Sequence, residues 1–174
     1  HRGHGERDGA RGRIAEVDDL LLDLAGAIDA VRRDHPQGPL VLLGHSLGGL
    51  VAARLVAGAL APAAAWSRPV DALLLSSPAL ATAMNPLQKA MLAVLGPLTP
   101  NLGVSNGLKP EWISRDPEVV AAYRADPLVH DRIAPRLARF IVDGGEHVRA
   151  AAARWTVPTL LQYAGADRCV PPSG

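Results

Sequence analysis

In Gly44-His45-Ser46-Leu47-Gly48-Gly49 a single serine stands between glycines two residues to either side. A serine hydroxyl is a weak nucleophile until a base takes its proton and hydrogen-bond donors await the oxyanion that forms. A tight turn from a strand into a helix meets that need by lifting the hydroxyl clear of the sheet. Such a turn leaves room only for small residues at its flanks, here Gly44 and Gly48. Gly49 would let the helix pack close, and the NH of Leu47, at the positive mouth of the helix, would meet the oxyanion. The pattern points to acyl transfer through Ser46.

The motif carries that meaning only if a strand precedes it and a helix follows. Pro39 to Gly44 is a short continuous apolar run, as expected of a strand buried on both faces of a parallel sheet. From Gly48 to about Leu60 the run Leu50, Val51, Ala53, Arg54, Leu55, Val56 predicts a helix ended by Pro62, and Val70 to Ser76 predicts the next strand. Upstream, Ile14, Val17, Leu20, Leu21, Leu24, Ile28 and Val31 recur at helical spacing until Asp34-His35-Pro36. Helix, strand, helix, strand is the α/β alternation.

From Pro78 to Gly145 the chain changes character, with scattered prolines between short helical patterns and no clear strand. It reads as an inserted helical cap with two apolar stripes. Leu80, Met84, Leu87, Met91, Leu92 and Leu95 form the first, and Ile133, Leu137, Phe140 and Ile141 the second. Glu146 to Arg154 is expected to be helical, Val157 to Tyr163 a strand, and Ala164 to Asp167 a turn. The expected division is a first core part at 1–77, a cap at 78–145, and a return to the core at 146–174.

Bulk properties narrow the function. With 174 residues and 48% hydrophobic content the chain can build a real core. Eighteen Lys and Arg against 17 Asp and Glu leave a net charge of +1, too little field to hold a nucleic acid. The single cysteine, Cys169, makes no internal disulfide and fits a reducing compartment, so a cytoplasmic location is expected. No run of about 18 uncharged apolar residues is present to span a bilayer.

The chain resembles the monoacylglycerol lipase and lysophospholipase-like branch of the α/β-hydrolases, also described as serine aminopeptidase S33-like. Arg2-Gly3-His4-Gly5 with Gly9-Ala10-Arg11-Gly12 is similar to that family's loop after its fourth strand, and Gly44 to Gly49 to its elbow. Ser114-Arg115-Asp116-Pro117, Tyr123 and Asp126-Pro127-Leu128-Val129 are similar to part of its helical cap. Arg7 stands where the family often has Ser, and Leu47 where Met is common. The resemblance implies a parallel sheet flanked by helices, a capped active site, no cofactor and no metal.

It also implies that Asp167, in Gly165-Ala166-Asp167-Arg168, is the acid of the catalytic triad. The residues agree, because the order in this fold is Ser, then Asp or Glu, then His, and Asp167 follows a strand. Asp71, Asp126 and Asp143 are weaker candidates. The six histidines, His1, His4, His35, His45, His130 and His147, all precede Asp167, so no triad base is expected among them. His45 should point away from the site and pack beneath the turn. His1 and His4 lack a third ligand at a recognisable metal spacing. Cys169 reads as a bystander.

The strand that would supply the second oxyanion donor is expected before His1. Residues 1–174 therefore read as the middle of a longer hydrolase whose terminal strands lie outside. Loss of the base would cost on the order of 10⁶ in turnover, so the segment alone should be nearly inert. Cap stripes and family resemblance together suggest an ester of a long-chain acid with glycerol or a lysophospholipid, with transient membrane contact through the cap. A peptidase or small-ester hydrolase and a non-catalytic binding protein are the rivals.

Overall fold

The computed structural model describes residues 2–60 and 64–174. Its core is a three-stranded sheet in the order β1-β2-β5, formed by Val41–His45 (β1), Ala72–Ser76 (β2) and Thr159–Gln162 (β5). Both pairings are parallel, and His45, Ser76 and Gln162 lie in register at the same end. Two helices accompany it, α1 (Asp19–Asp34) and α2 (Leu47–Gly58). Next come α3 (Pro86–Leu95), a two-residue β3 (Val104–Ser105), α4 (Pro117–Ala125), β4 (Arg132–Ile133) and α5 (Pro135–Ala151). The α/β architecture expected from the alternation, a parallel sheet flanked by helices, is present.

The core lies on one face of the sheet. Leu73 and Leu75 of β2 pack with Leu50, Val51, Leu55 and Val56 of α2, Leu20, Leu21 and Ile28 of α1, and Leu137, Phe140 and Val148 of α5. The opposite face is open: Val41 is 52% and Leu43 68% exposed, and Leu160 of β5 54%. The expectation that β1 is buried on both faces is therefore corrected. Alternate side chains of a strand point to opposite faces, and in residues 2–60 and 64–174 helices cover only the one that Leu42, Leu73 and Leu75 share.

Two boundaries also differ from expectation. Ile14 is buried and Val17 exposed, but both precede α1. The carboxylate of Asp19 accepts hydrogen bonds from the NH groups of Ala15 and Glu16 (2.8 and 2.9 Å), fixing a turn where periodicity alone predicts helix. Leu80 and Met84 likewise precede α3, which starts at the Asn85-Pro86 capping box closed by Gln88. The cap also holds a short antiparallel pairing, Val104 with Ile133 and Ser105 with Arg132. Two residues per strand are too few to print an alternating pattern. Pro62, expected to end α2, lies outside the described residues.

Helix α5 is continuous from Pro135 to Ala151, across the expected end of the cap at Gly145. Its buried Leu137, Phe140, Gly144 and Val148 belong to the face packed on α2. Close approach is possible because Gly144 has no Cβ, which would sit 3.4 Å from Leu50 and 3.5 Å from the Arg54 stem. The second apolar stripe is thus core packing.

The first stripe divides, with Leu80 buried in the core and the α3 residues largely outside it. Helix α3 buries no residue, and Leu87 (68%), Met91 (52%), Val94 (67%) and Leu95 (48%) are exposed. At 100° per residue these four share one face about 80° to 100° wide. Among the described residues no helix is long and apolar enough to cross a membrane.

Candidate active site

Ser46 occupies the turn between β1 and α2 with φ 52° and ψ −121°, a positive φ that non-glycine residues rarely adopt. The surroundings hold it there. Its NH continues the sheet ladder by donating to Ser76 O (3.0 Å), and its carbonyl oxygen accepts from Leu50 N (3.1 Å) and Ala79 N (3.0 Å). A Cβ on Gly44 would lie 2.6 Å from Gly48 O, and one on Gly49 2.8 Å from the Cβ of Pro78. The small residues at these positions are thus required by the packing of the turn against α2 and against the segment after β2.

Leu47 is the first residue of α2, so its NH has no acceptor one turn back within the helix and faces the positive helix end. Its side chain packs against the core. The NH is thereby left for an acceptor outside the helix while the side chain anchors the helix start.

Asp167 follows β5, with its NH bonded to Ala164 O (3.1 Å). Its Oδ1 accepts from Cys169 N (2.8 Å) and Val170 N (2.9 Å), which orients the carboxylate. Ser46 and Asp167 thus lie past the same end of the sheet, on β1 and β5, with β2 between them. Two strand spacings set those strands about 10 Å apart.

The weaker acids are engaged elsewhere. Asp71 accepts from Leu40 N (2.6 Å) and pairs with Arg32 (3.1 Å), and these bonds hold its carboxyl below the usual range. Asp126 accepts from Leu128 N (2.8 Å), and Asp143 pairs with Arg139 (3.5 Å). In the segment resembling a family cap, Asp116 caps α4 through Glu118 N (2.8 Å) and Ser114 accepts from Asp116 N (3.0 Å).

Three of the histidines are likewise engaged elsewhere. His45 Nδ1 lies 3.0 Å from both the carbonyl oxygen and the hydroxyl of Ser76. The ring is exposed rather than packed beneath the turn as expected, because it points to the open face of the sheet. His130 donates from Nε2 to Gly3 O (3.2 Å) and accepts at Nδ1 from Arg132 N (3.1 Å). His4 donates from Nδ1 to Arg2 O (3.1 Å), with its ring 4.9 Å from that of His130. His1 lies outside the described residues. No group of three or more metal-ligating side chains forms among the described residues.

Cys169 is partly buried beside Asp167. Burial first, and the charge of Asp167 second, push its thiol up. A thiolate is thereby disfavoured at this position.

Sequence reasoning missed Ala79 and Pro78, the strut under the elbow. Nothing in their types distinguishes them, because their role is a backbone NH and a ring edge.

A model of the family described as serine aminopeptidase, S33, matches residues 1–174. A monoacylglycerol lipase of Mycolicibacterium smegmatis is 36% identical over 177 residues, covering 100% of this chain and 60% of its own length. The monoglyceride lipase of Rattus norvegicus is 28% identical, covering 97% of this chain and 54% of its own. Among solved structures, the monoacylglycerol lipase of Paleococcus ferrophilus superposes with a TM-score of 0.81 at 35% identity, over 99% of this chain and 63% of that one. A soluble variant of monoglyceride lipase from Saccharomyces cerevisiae gives 0.80 at 17% identity, a likeness of fold. The chain spans a little over half the length of the curated relatives it matches.

Proposed function

The chain belongs to the serine aminopeptidase S33 family and has the α/β-hydrolase fold, and from that membership we propose that the protein carrying it is a serine hydrolase of carboxylic esters. Its substrate would be a monoacylglycerol or lysophospholipid. The observation that carries the reading is the backbone of Ser46, held at φ 52° on a turn from a parallel strand into a helix. Strain of this kind persists where the surroundings over-determine it, which is characteristic of functional sites.

In the proposed mechanism Ser46 Oγ attacks the ester carbonyl and gives its proton to a histidine oriented by Asp167. The Leu47 NH stabilises the oxyanion, the alcohol leaves with the proton, and water then hydrolyses the acyl-enzyme. The base follows the acid in the chain in this fold, so none of the six histidines of residues 1–174 is assigned that role. No cofactor enters these steps.

Support for a lipid substrate comes from the names of the relatives and from α3. An exposed apolar face on the cap, Leu87 with Met91, Val94 and Leu95, suits contact with acyl chains or with the surface of a membrane or micelle that holds them. The proposal includes that transient contact, from the cytoplasmic side.

Two experiments on the full-length protein test the reading. A fluorophosphonate should label it, and Ser46→Ala should abolish labelling; labelling that survives the substitution refutes the nucleophile, and no labelling of the wild type favours a binding protein. A series of p-nitrophenyl esters should favour decanoate over acetate. A preference for acetate, or for aminoacyl anilides, would replace the lipid reading with the small-ester or peptidase one.

A further inference from the structure

Eight residues beyond Ser46 on α2, about 12 Å along the helix, Arg54 stands at a cavity of about 580 Å³. The cavity lies between α2, α5 and the Gly96 to Pro100 segment after α3. Its walls include Val17, Pro97, Pro100, Phe140 and His147, and its charged groups are Arg54, Arg136 and Arg139 against Asp143. Asp143 is already paired with Arg139 at 3.5 Å. The balance facing the cavity is therefore cationic.

Arg54 is the unusual member. Its Nε and Nη1 are buried with no hydrogen-bond partner among the described residues. Unmet donors on a guanidinium are costly to bury, and they are rare unless an acceptor comes from outside the fold. The group is also well fixed. Its stem runs against the gap left by Gly144, and its guanidinium lies over Trp66 at 5.7 Å. Burial pulls its pKa down, and the charge of Asp18 opposes that. His147 faces the same charge, and burial, with Arg54 and Arg154, holds it below the ordinary histidine value.

A guanidinium-bearing side chain at the wall, two further arginines and apolar surface match one kind of ligand. We propose that this cavity binds a small organic oxyanion, a carboxylate or phosphate head on a short apolar stem, with Arg54 as its principal ligand and Arg136 beside it. A guanidinium meets either head with paired hydrogen bonds, and a volume of this size admits the head and a stem of several carbons. The site stands whether or not Ser46 is a nucleophile.

Calorimetric titration of the full-length protein at constant ionic strength, with inorganic phosphate and with sodium octanoate in separate arms and chloride as reference, tests it. Saturable binding of phosphate alone identifies a phosphate head, of octanoate alone a fatty carboxylate, and of both a general oxyanion site. In each case Arg54→Met should weaken binding at least about tenfold, the loss of one charge-assisted pair. Arg54→Met should also raise the melting temperature in anion-free buffer, because the unmet buried donors go. Arg136→Gln gives a second variant that leaves Arg54 in place and should weaken binding too. Binding of neither anion above chloride overturns the proposal. So does binding that survives both substitutions, which would mark octanoate lodged in an acyl site elsewhere.

Discussion

The NH of Ala79 donates to the carbonyl oxygen of Ser46 at 3.0 Å, so the segment after β2 props the turn that carries the candidate nucleophile. Gly49 determines how closely that prop can approach, since a Cβ there would lie 2.8 Å from the Cβ of Pro78 and 3.1 Å from Gly44 O. Gly49→Ala is expected to push Pro78 and Ala79 off the elbow, costing about 1–3 kcal/mol as overpacking does. Fluorophosphonate labelling should slow at the same time. Gly26→Ala is the contrast: it sits exposed in α1 with nothing within 4 Å of the added carbon. There the exchange should stabilise by about 0.5–1 kcal/mol through helix propensity. Urea unfolding of the two variants separates the outcomes, and equal effects would mean that the elbow tolerates the methyl group.

Asp167 combines a loop role with the proposed catalytic one, and substitution can split them. Asparagine can still accept through one oxygen from Cys169 N and Val170 N, but it carries no charge to stabilise an imidazolium. Asp167→Asn in the full-length protein should keep its melting temperature and lose turnover by about 10⁴, the cost of a neutralised triad acid. Asp167→Ala should lose both, because the two NH donors go unmet. Activity of the Asn variant within tenfold of wild type would reduce Asp167 to a loop residue.

Much of this arrangement is legible in the residues because it is local. An apolar run, a G-x-S-x-G turn and a helical pattern follow one another within Leu40 to Leu60, and β1, Ser46 and α2 fall where that order demands. What escapes sequence reading is pairwise and distant. The buried partners of α5 are on α2, 80 or more residues upstream, so Leu137 and Phe140 look like a cap stripe when they are core. Conversely Leu87 and Met91 look like packing residues and are exposed. Periodicity reports that a face is apolar and not what covers it. The support of Ser46 by Ala79 leaves no trace, since any residue can donate a backbone NH.

The exposed face of α3 should matter to lipid and little to folding. Because Leu87 and Met91 are both more than half exposed, Leu87→Ser with Met91→Ser should lower the melting temperature only slightly. Hydrolysis of monooleoylglycerol in micelles should fall severalfold, while hydrolysis of p-nitrophenyl acetate in solution holds. A parallel loss on both substrates would place the effect in the active site and remove the case for surface contact.

Acid should loosen the contact between the Gly-rich loop and the cap. His4 is half-buried beside His130; burial is the largest influence lowering its pKa from 6.5, the charges of His130 and Arg11 add to it, and the hydrogen bond to Arg2 O opposes them. Between the folded value and 6.5 the unfolded chain binds a proton that the folded chain resists, so stability rises with pH through that window. The contribution is complete above about 6.5 and is lost as pH falls below it, levelling off under the folded pKa. His147, lowered chiefly by burial and then by Arg54 and Arg154, titrates in the same direction. Urea midpoints should therefore drop between pH 7.5 and pH 5, and His4→Gln should flatten part of that slope. An unchanged slope in the His4 variant would assign the acid sensitivity to His147 and leave the loop contact indifferent to pH.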